Sequence, residues 1–174
     1  MVRTSSPAPD ATAERVQQLA TALLARGWML ATAESCTGGL IAGACTDLAG
    51  SSAWLERGFV TYSNAAKTQM LGVDAALIAK HGAVSEPVAR AMAQGALEHA
   101  QAQVALAVTG VAGPSGGSAE KPVGTVWFGW ALNGRVVSEM QRFAGDRAAV
   151  RQATVNHSLQ RLIELLQSPS THDA

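Results

Sequence analysis

The sequence has no net charge and no basic run: 13 lysines and arginines face 13 aspartates and glutamates, and only 15% of residues are charged. A neutral chain without a Lys/Arg cluster lacks the electrostatic footprint selected by nucleic acid or an anionic membrane. Neither is expected as a partner. Long apolar runs are missing too. The longest uncharged stretch, from His99 to Ala119, is broken by Gln, Thr, Ser, Gly and Pro, so no bilayer span is read from it. The opening MVRTSSPAPDATAER has no continuous apolar stretch of the kind a signal peptide needs. The expectation is a soluble, cytoplasmic protein. Cysteine is scarce: Cys36 and Cys45 make no disulfide framework. They also lack zinc-ligand spacing and a neighbouring histidine, so neither a metal nor another cofactor is expected.

Nucleotide-binding signatures are missing as well. The glycine-rich run TGVAGPSGGSAEKPVG contains no Gly-x-x-x-x-Gly-Lys-Ser/Thr, because Lys121 precedes Pro122, and no Gly-x-Gly-x-x-Gly occurs. Ser35 is followed by Cys, Thr and Gly, so the Ser-x-x-Lys of penicillin-recognising enzymes is absent too. Four histidines, His81, His99, His157 and His172, outline no triad; His81, in a turn, is the one to watch.

What remains is a compact globular composition, 174 residues with 48% hydrophobic and 5% aromatic side chains, which fits one domain with close helix–sheet packing. Residues 1–12 and 168–174 read as loose tails around a domain at 13–167. Ala13 to Arg26 is helical, with Val16, Leu19, Ala20, Leu23 and Leu24 on one face and Gly27 ending it. Trp28 to Ala33 reads as a buried strand and Gly38 to Leu48 as a helix. Phe59 to Tyr62 is a strand, with a start as early as Trp54 allowed. Asn64 is read as the cap of a short helix ending at Gly72, with a further helical turn at Asp74 to Lys80. Ser85 caps a helix to about Gln101, and Val104 to Val108 is a short strand. Thr109 to Gly124 is a long loop. Thr125 to Ala131 and Val136 to Phe143 form a hairpin at Asn133-Gly134, and Asp146 caps a last helix to about Leu166. Strands alternating with helices and one late β-hairpin predict a three-layer α/β/α domain with a mixed sheet.

Three polar segments follow strands, at Glu34–Gly39, Tyr62–Lys67 and Thr109–Gly124, and are expected to converge where α/β sheets bind ligands. Ser35 is either a helix cap or a nucleophile. Thr37, Gly38 and Gly39 then offer backbone N–H groups to an oxyanion or phosphate. Cys36 is a rival nucleophile or a small buried hydrophobe. Lys67, one of only three lysines, sits in a mainly uncharged stretch. A partly desolvated lysine there loses its proton near neutral pH and can act as a base, with Tyr62 relaying a proton or holding it; the alternative is an exposed helix lysine. Arg147 and Arg151 lie four apart on one helix face, as an anion site or a solvated pair.

Taken together, AESCTGG, GFVTYSNAAK, HGAVSE, VTGVAGPSGG followed by KPVGTVW, and FAGDRAAVR resemble the C-terminal domain of the competence/damage-inducible CinA proteins, over about residues 13–167. Stand-alone members of this family are nicotinamide-nucleotide amidases. The resemblance implies hydrolysis of nicotinamide mononucleotide to nicotinate mononucleotide and ammonia, in pyridine-nucleotide recycling. It implies a serine–lysine site at Ser35 and Lys67 with Tyr62 beside them. Thr109, Gly110 and Gly113 become pocket residues, and Asn64, Arg147 and Arg151 join the substrate-binding set. The alternative is a non-catalytic nucleotide- or partner-binding module linked to competence or DNA damage. The Ala-rich helices also offer faces on which a homodimer can pack.

Overall fold

The computed structural model describes residues 10–168; most of both expected tails lies outside them, but Ala11 and Thr12, expected in the first tail, open the first helix, which Asp10 caps. Five strands order as β2-β1-β3-β4-β5, with β1 (Leu30–Glu34), β2 (Leu55–Val60), β3 (Val104–Gly110), β4 (Thr125–Leu132) and β5 (Arg135–Arg142). β1 pairs in parallel with β2 and β3, and β3-β4-β5 is antiparallel, so the sheet is mixed as expected. Asn133 (φ 53°) and Gly134 (φ 71°) make the late hairpin, both left-handed as a two-residue turn of the right twist requires.

Helices cover both faces. α1 (Ala11–Arg26), α2 (Leu40–Thr46) and α6 (Arg147–Gln167) share one core with Leu30, Leu106, Phe128 and Trp130 of the sheet. On the other face α3 (Asn64–Leu71), α4 (Ala75–His81) and α5 (Glu86–Glu98) pack on Ala31, Ala33, Ala105 and Ala107. Alternation along each strand explains the division, since successive side chains point to opposite faces. The alanine face lets α5 approach closely. A Cβ placed on Gly129 would meet Ala89 O at 2.5 Å, and one on Gly95 would collide with Leu71 O. The shortage of aromatics and abundance of Ala and Gly have this packing as their cause.

Several boundaries move. Ser63, not Asn64, caps α3: its hydroxyl accepts from Ala66 N–H, and Asn64 is the first helical residue. Both residue types cap well, so sequence alone left the choice open. Leu24 lies off the buried stripe of α1 at 52% exposure. Thr109 and Gly110 continue β3 rather than opening the loop, because they pair with Trp127 and Val126.

Chain topology fixes where a ligand goes. From β1 the chain runs through α2 to β2 on one side, and β2 returns across β1 to β3 on the other. The connections after β1 and β3 therefore diverge, leaving a crevice at the carboxyl ends of these two strands.

Candidate active site

The three polar segments do converge in that crevice. A cavity of about 250 Å³ is lined by Ser35, Lys67, Tyr62, Asn64, Thr109 and Gly110, together with Cys36, Ala112 and Arg147. Ala83 and Val84, from the turn before α5, complete its wall. These two small apolar residues carried no chemical signal in the sequence.

Ser35 follows β1 directly. Its N–H donates to Val108 O (3.1 Å), tying this turn to β3. Gly38 and Gly39 then turn the chain at φ 60° and 103°, a region open to glycine, before α2 begins at Leu40. Glu34, overlooked in the sequence, fixes this turn from inside. Its buried carboxylate accepts from Thr37 Oγ1 (2.6 Å), Ile41 N–H (2.8 Å) and Ala42 N–H (3.1 Å). The signal available was a lone carboxylate ending an otherwise apolar strand, three residues before a threonine.

Several N–H groups of the turn are already engaged: those of Ile41 and Ala42 serve Glu34, the Gly38 N–H donates to Ser35 O, and Leu40 N–H donates to Thr37 O. Thr37, Gly38 and Gly39 are not part of the cavity wall.

Lys67 is 1% exposed, on the second turn of α3. Its Nζ lies 3.0 Å from Ser35 Oγ, 2.9 Å from Thr61 O and 3.4 Å from Tyr62 O. No carboxylate pairs with it among the described residues. Burial pushes its pKa below the ordinary lysine value, because removing the ammonium from water disfavours the charged form. Nζ donates to the seryl oxygen and to both carbonyl oxygens; in its neutral form the amine keeps two N–H groups for the carbonyls and a lone pair for the seryl O–H. Cys36 has the opposite character: burial pushes its thiol up to about 11, so it is protonated at neutral pH and a poor nucleophile.

Tyr62 stands apart from this pair. Its side chain is exposed, and its hydroxyl accepts from Arg147 Nη2 (3.2 Å) instead of meeting Lys67 or Ser35. Tyr62 touches Lys67 through its backbone carbonyl alone. Arg147 also donates to Gly113 O (2.9 Å), so Gly113 acts through that carbonyl and does not line the cavity. A Cβ on Gly113 would collide with Val123. Thr109 donates to Ala83 O (2.9 Å), joining the end of β3 to the cavity wall. His81 contributes only its carbonyl, which accepts from Lys121 Nζ (2.7 Å) and latches the glycine-rich loop.

The two arginines part company. Arg151, expected to be free for an anion, donates to Cys36 O (3.1 Å) and Thr37 O (3.2 Å). Arg147 lies on the seam between the inner cavity and a second of about 650 Å³, which Pro114, Val123, Asp146 and Arg151 also line. No His, Cys, Asp and Glu cluster suited to a metal occurs among the described residues, and none of their helices is long and apolar enough to cross a membrane.

A nicotinamide-nucleotide amidohydrolase PncC of Enterobacter agglomerans is 60% identical over 82% of this chain and 88% of its own length. The protein of the same name from Escherichia coli K12 is 56% identical over 84% and 89%. Among solved structures, a competence/damage-inducible protein of Agrobacterium tumefaciens superposes with a TM-score of 0.89 at 49% identity, over 94% of this chain and 100% of that one. The family described as the CinA C-terminal domain matches residues 12–166. With nearly the whole described chain matched, the protein belongs to the CinA C-terminal domain family.

Proposed function

We propose that this protein hydrolyses the carboxamide of nicotinamide mononucleotide, releasing nicotinate mononucleotide and ammonia, by a Ser35 nucleophile and a Lys67 base. The observation that carries the reading is Lys67 Nζ, buried, without an acid partner among the described residues, and 3.0 Å from a seryl hydroxyl that opens into a cavity. Relatives 56–60% identical bear the name nicotinamide-nucleotide amidohydrolase, which supplies the substrate.

An amide is a weak electrophile and needs an activated nucleophile. Neutral Lys67 accepts the Ser35 proton as Oγ attacks the carboxamide carbon. The resulting ammonium passes that proton to the nitrogen, and ammonia leaves with closure of the acyl-enzyme carbonyl. Water then attacks the ester, giving its proton to Lys67. Collapse breaks the C–Oγ bond, and Lys67 returns the proton to Ser35. The sum is one water consumed and one ammonia released, and the base ends neutral.

The two cavities divide the substrate. At about 250 Å³ the inner one is below the roughly 300–1,000 Å³ that whole drug-sized ligands occupy, and suits a single ring with its carboxamide. The outer cavity, with Arg147 at the seam, takes the ribose phosphate. A purely binding module gains nothing from a desolvated amine held against a hydroxyl, which weighs against that alternative. The decisive assay is ammonia release from the mononucleotide by folded Ser35→Ala and Lys67→Ala proteins, with mass spectrometry for an acyl adduct. Wild-type turnover in both would sink the dyad; an adduct on Cys36 would move the nucleophile.

A further inference from the structure

We propose that Arg151 is a positioning residue: its guanidinium, held on the carbonyls of Cys36 and Thr37, keeps the Ser35 turn in register with Lys67. The proposal rests on Ser35 being the nucleophile.

The turn needs an outside support. Residues 38 and 39 are two glycines at positive φ, which permit the turn but do little to stiffen it. Before them, Ser35 N–H is anchored on Val108 O and the Thr37 hydroxyl on Glu34. The Thr37 carbonyl accepts from Leu40 N–H within the turn, and Arg151 adds the long-range contact: it meets the carbonyl oxygens of both Cys36 and Thr37 from α6, more than a hundred residues along the chain. Nε takes one and Nη2 the other, a two-pronged contact that the planar fork of arginine makes and a lysine ammonium does not. The guanidinium also lies along Gly38, where an added Cβ would sit 3.7 Å from Nη2. Glu34 and Arg151 thus both hold the turn, one through its N–H groups and the Thr37 hydroxyl, the other through its carbonyls.

Arg147, one helical turn earlier, contrasts with it. Its partners are Gly113 O and the hydroxyl of Tyr62, which lines the cavity. The pair that reads in sequence as an anion site or a solvated pair is divided by the fold into a rim arginine and a turn arginine. Because Arg151 also lines the outer cavity, the competing role is a phosphate ligand, and the two roles move different quantities. A phosphate ligand sets substrate affinity. A positioning residue sets the rate at which bound substrate reacts, since a misplacement of about 1 Å costs on the order of 100-fold.

The test combines steady-state ammonia release with direct binding. Arg151→Lys should lose about 100-fold in kcat while KM for nicotinamide mononucleotide stays within about threefold. In a Ser35→Ala background, calorimetric Kd for the mononucleotide should likewise stay within about threefold on adding Arg151→Lys. Millimolar methylguanidinium should restore turnover to Arg151→Ala in a saturable manner, which guards against a loss caused by misfolding. A tenfold rise in KM and Kd with kcat intact would make Arg151 a phosphate ligand and overturn the proposal. Unchanged kinetics, or no recovery with methylguanidinium, would overturn it too. Turnover by Ser35→Ala itself would instead refute the nucleophile, independently of what the Arg151 variants do.

Discussion

Lys67 Nζ lies 3.0 Å from Ser35 Oγ although one residue comes from a helix on the alanine face and the other from the turn after β1. In the proposed dyad the protonation state of this one amine controls the rate: the base has to be neutral, and burial has lowered its pKa below the ordinary lysine value. The logarithm of kcat/KM should therefore rise with slope one on the acid side and level off with a midpoint below that of free lysine, near 10.4. Lys67→Arg should be inactive across the range, since a guanidinium stays charged. A pH profile in Lys67→Arg that matched the wild type would assign the acid limb to another group.

The same burial makes Lys67 a stability liability. Its pKa is depressed in the folded state, so the unfolded chain binds the proton more readily over the interval between the folded and unfolded values. Stability gained through this group thus rises with pH across that window. Lys67→Met, similar in shape and without charge, leaves Thr61 O and Tyr62 O without their donor and should abolish turnover. Its stability relative to the wild type should be highest at neutral pH and fall as pH approaches 10, where the unfolded lysine also loses its proton. Urea melts of both proteins at pH 7 and pH 10 test the sign, and a relative stability that grew with pH would contradict it.

Tyr62→Phe separates a proton relay from a rim contact. The phenol bonds Arg147 Nη2 at 3.2 Å, and what reaches Lys67 is the backbone carbonyl of residue 62, which the substitution leaves in place. Loss of the hydroxyl should change kcat by less than about fivefold, short of the roughly 100-fold or more that general acid–base groups contribute. Any effect should fall on KM, through a freer Arg147. A 100-fold drop in kcat at constant KM would restore the relay.

How much of this could be read from the chain follows from the range of each signal. Periodicity and turn residues are local, so the helices, the Asn133-Gly134 hairpin and the caps at Asp146 and Gly27 stand in the sequence much as they stand in the fold. Ser35 and Lys67 were readable as residue types whose chemistry suited each other, once the three loops were expected at one sheet edge. Direction was not readable. Arg147 and Arg151 share a helix face, and only the packing of α6 beside the β1 turn shows that one faces the rim and the other the carbonyls of Cys36 and Thr37. The end of β3 was misplaced for a similar reason: Thr109 and Gly110 look like loop residues, and pairing with β4 makes them strand.

Glu34 supplies the sharpest stability prediction. Its carboxylate is 1% exposed and accepts three hydrogen bonds, from a hydroxyl and two helix N–H groups, with no cation bonded to it among the described residues. Glu34→Ala strands those three donors in a buried site, at a cost of about 3 kcal/mol. For a domain of this size that corresponds to a fall in Tm of roughly 6–12 °C. Glu34→Gln keeps the shape and one acceptor oxygen but turns an amide N–H₂ toward a backbone donor, so it should lie between the two, near 1–2 kcal/mol by the same reckoning. Activity should follow the turn and not the melt: at a temperature where Glu34→Gln is fully folded, its kcat should still be reduced, because Thr37 and the start of α2 no longer hold Ser35 as rigidly. Thermal melts and ammonia release measured on the same samples check both halves. A Glu34→Ala protein melting within about 2 °C of wild type would show that those donors find other partners at little cost.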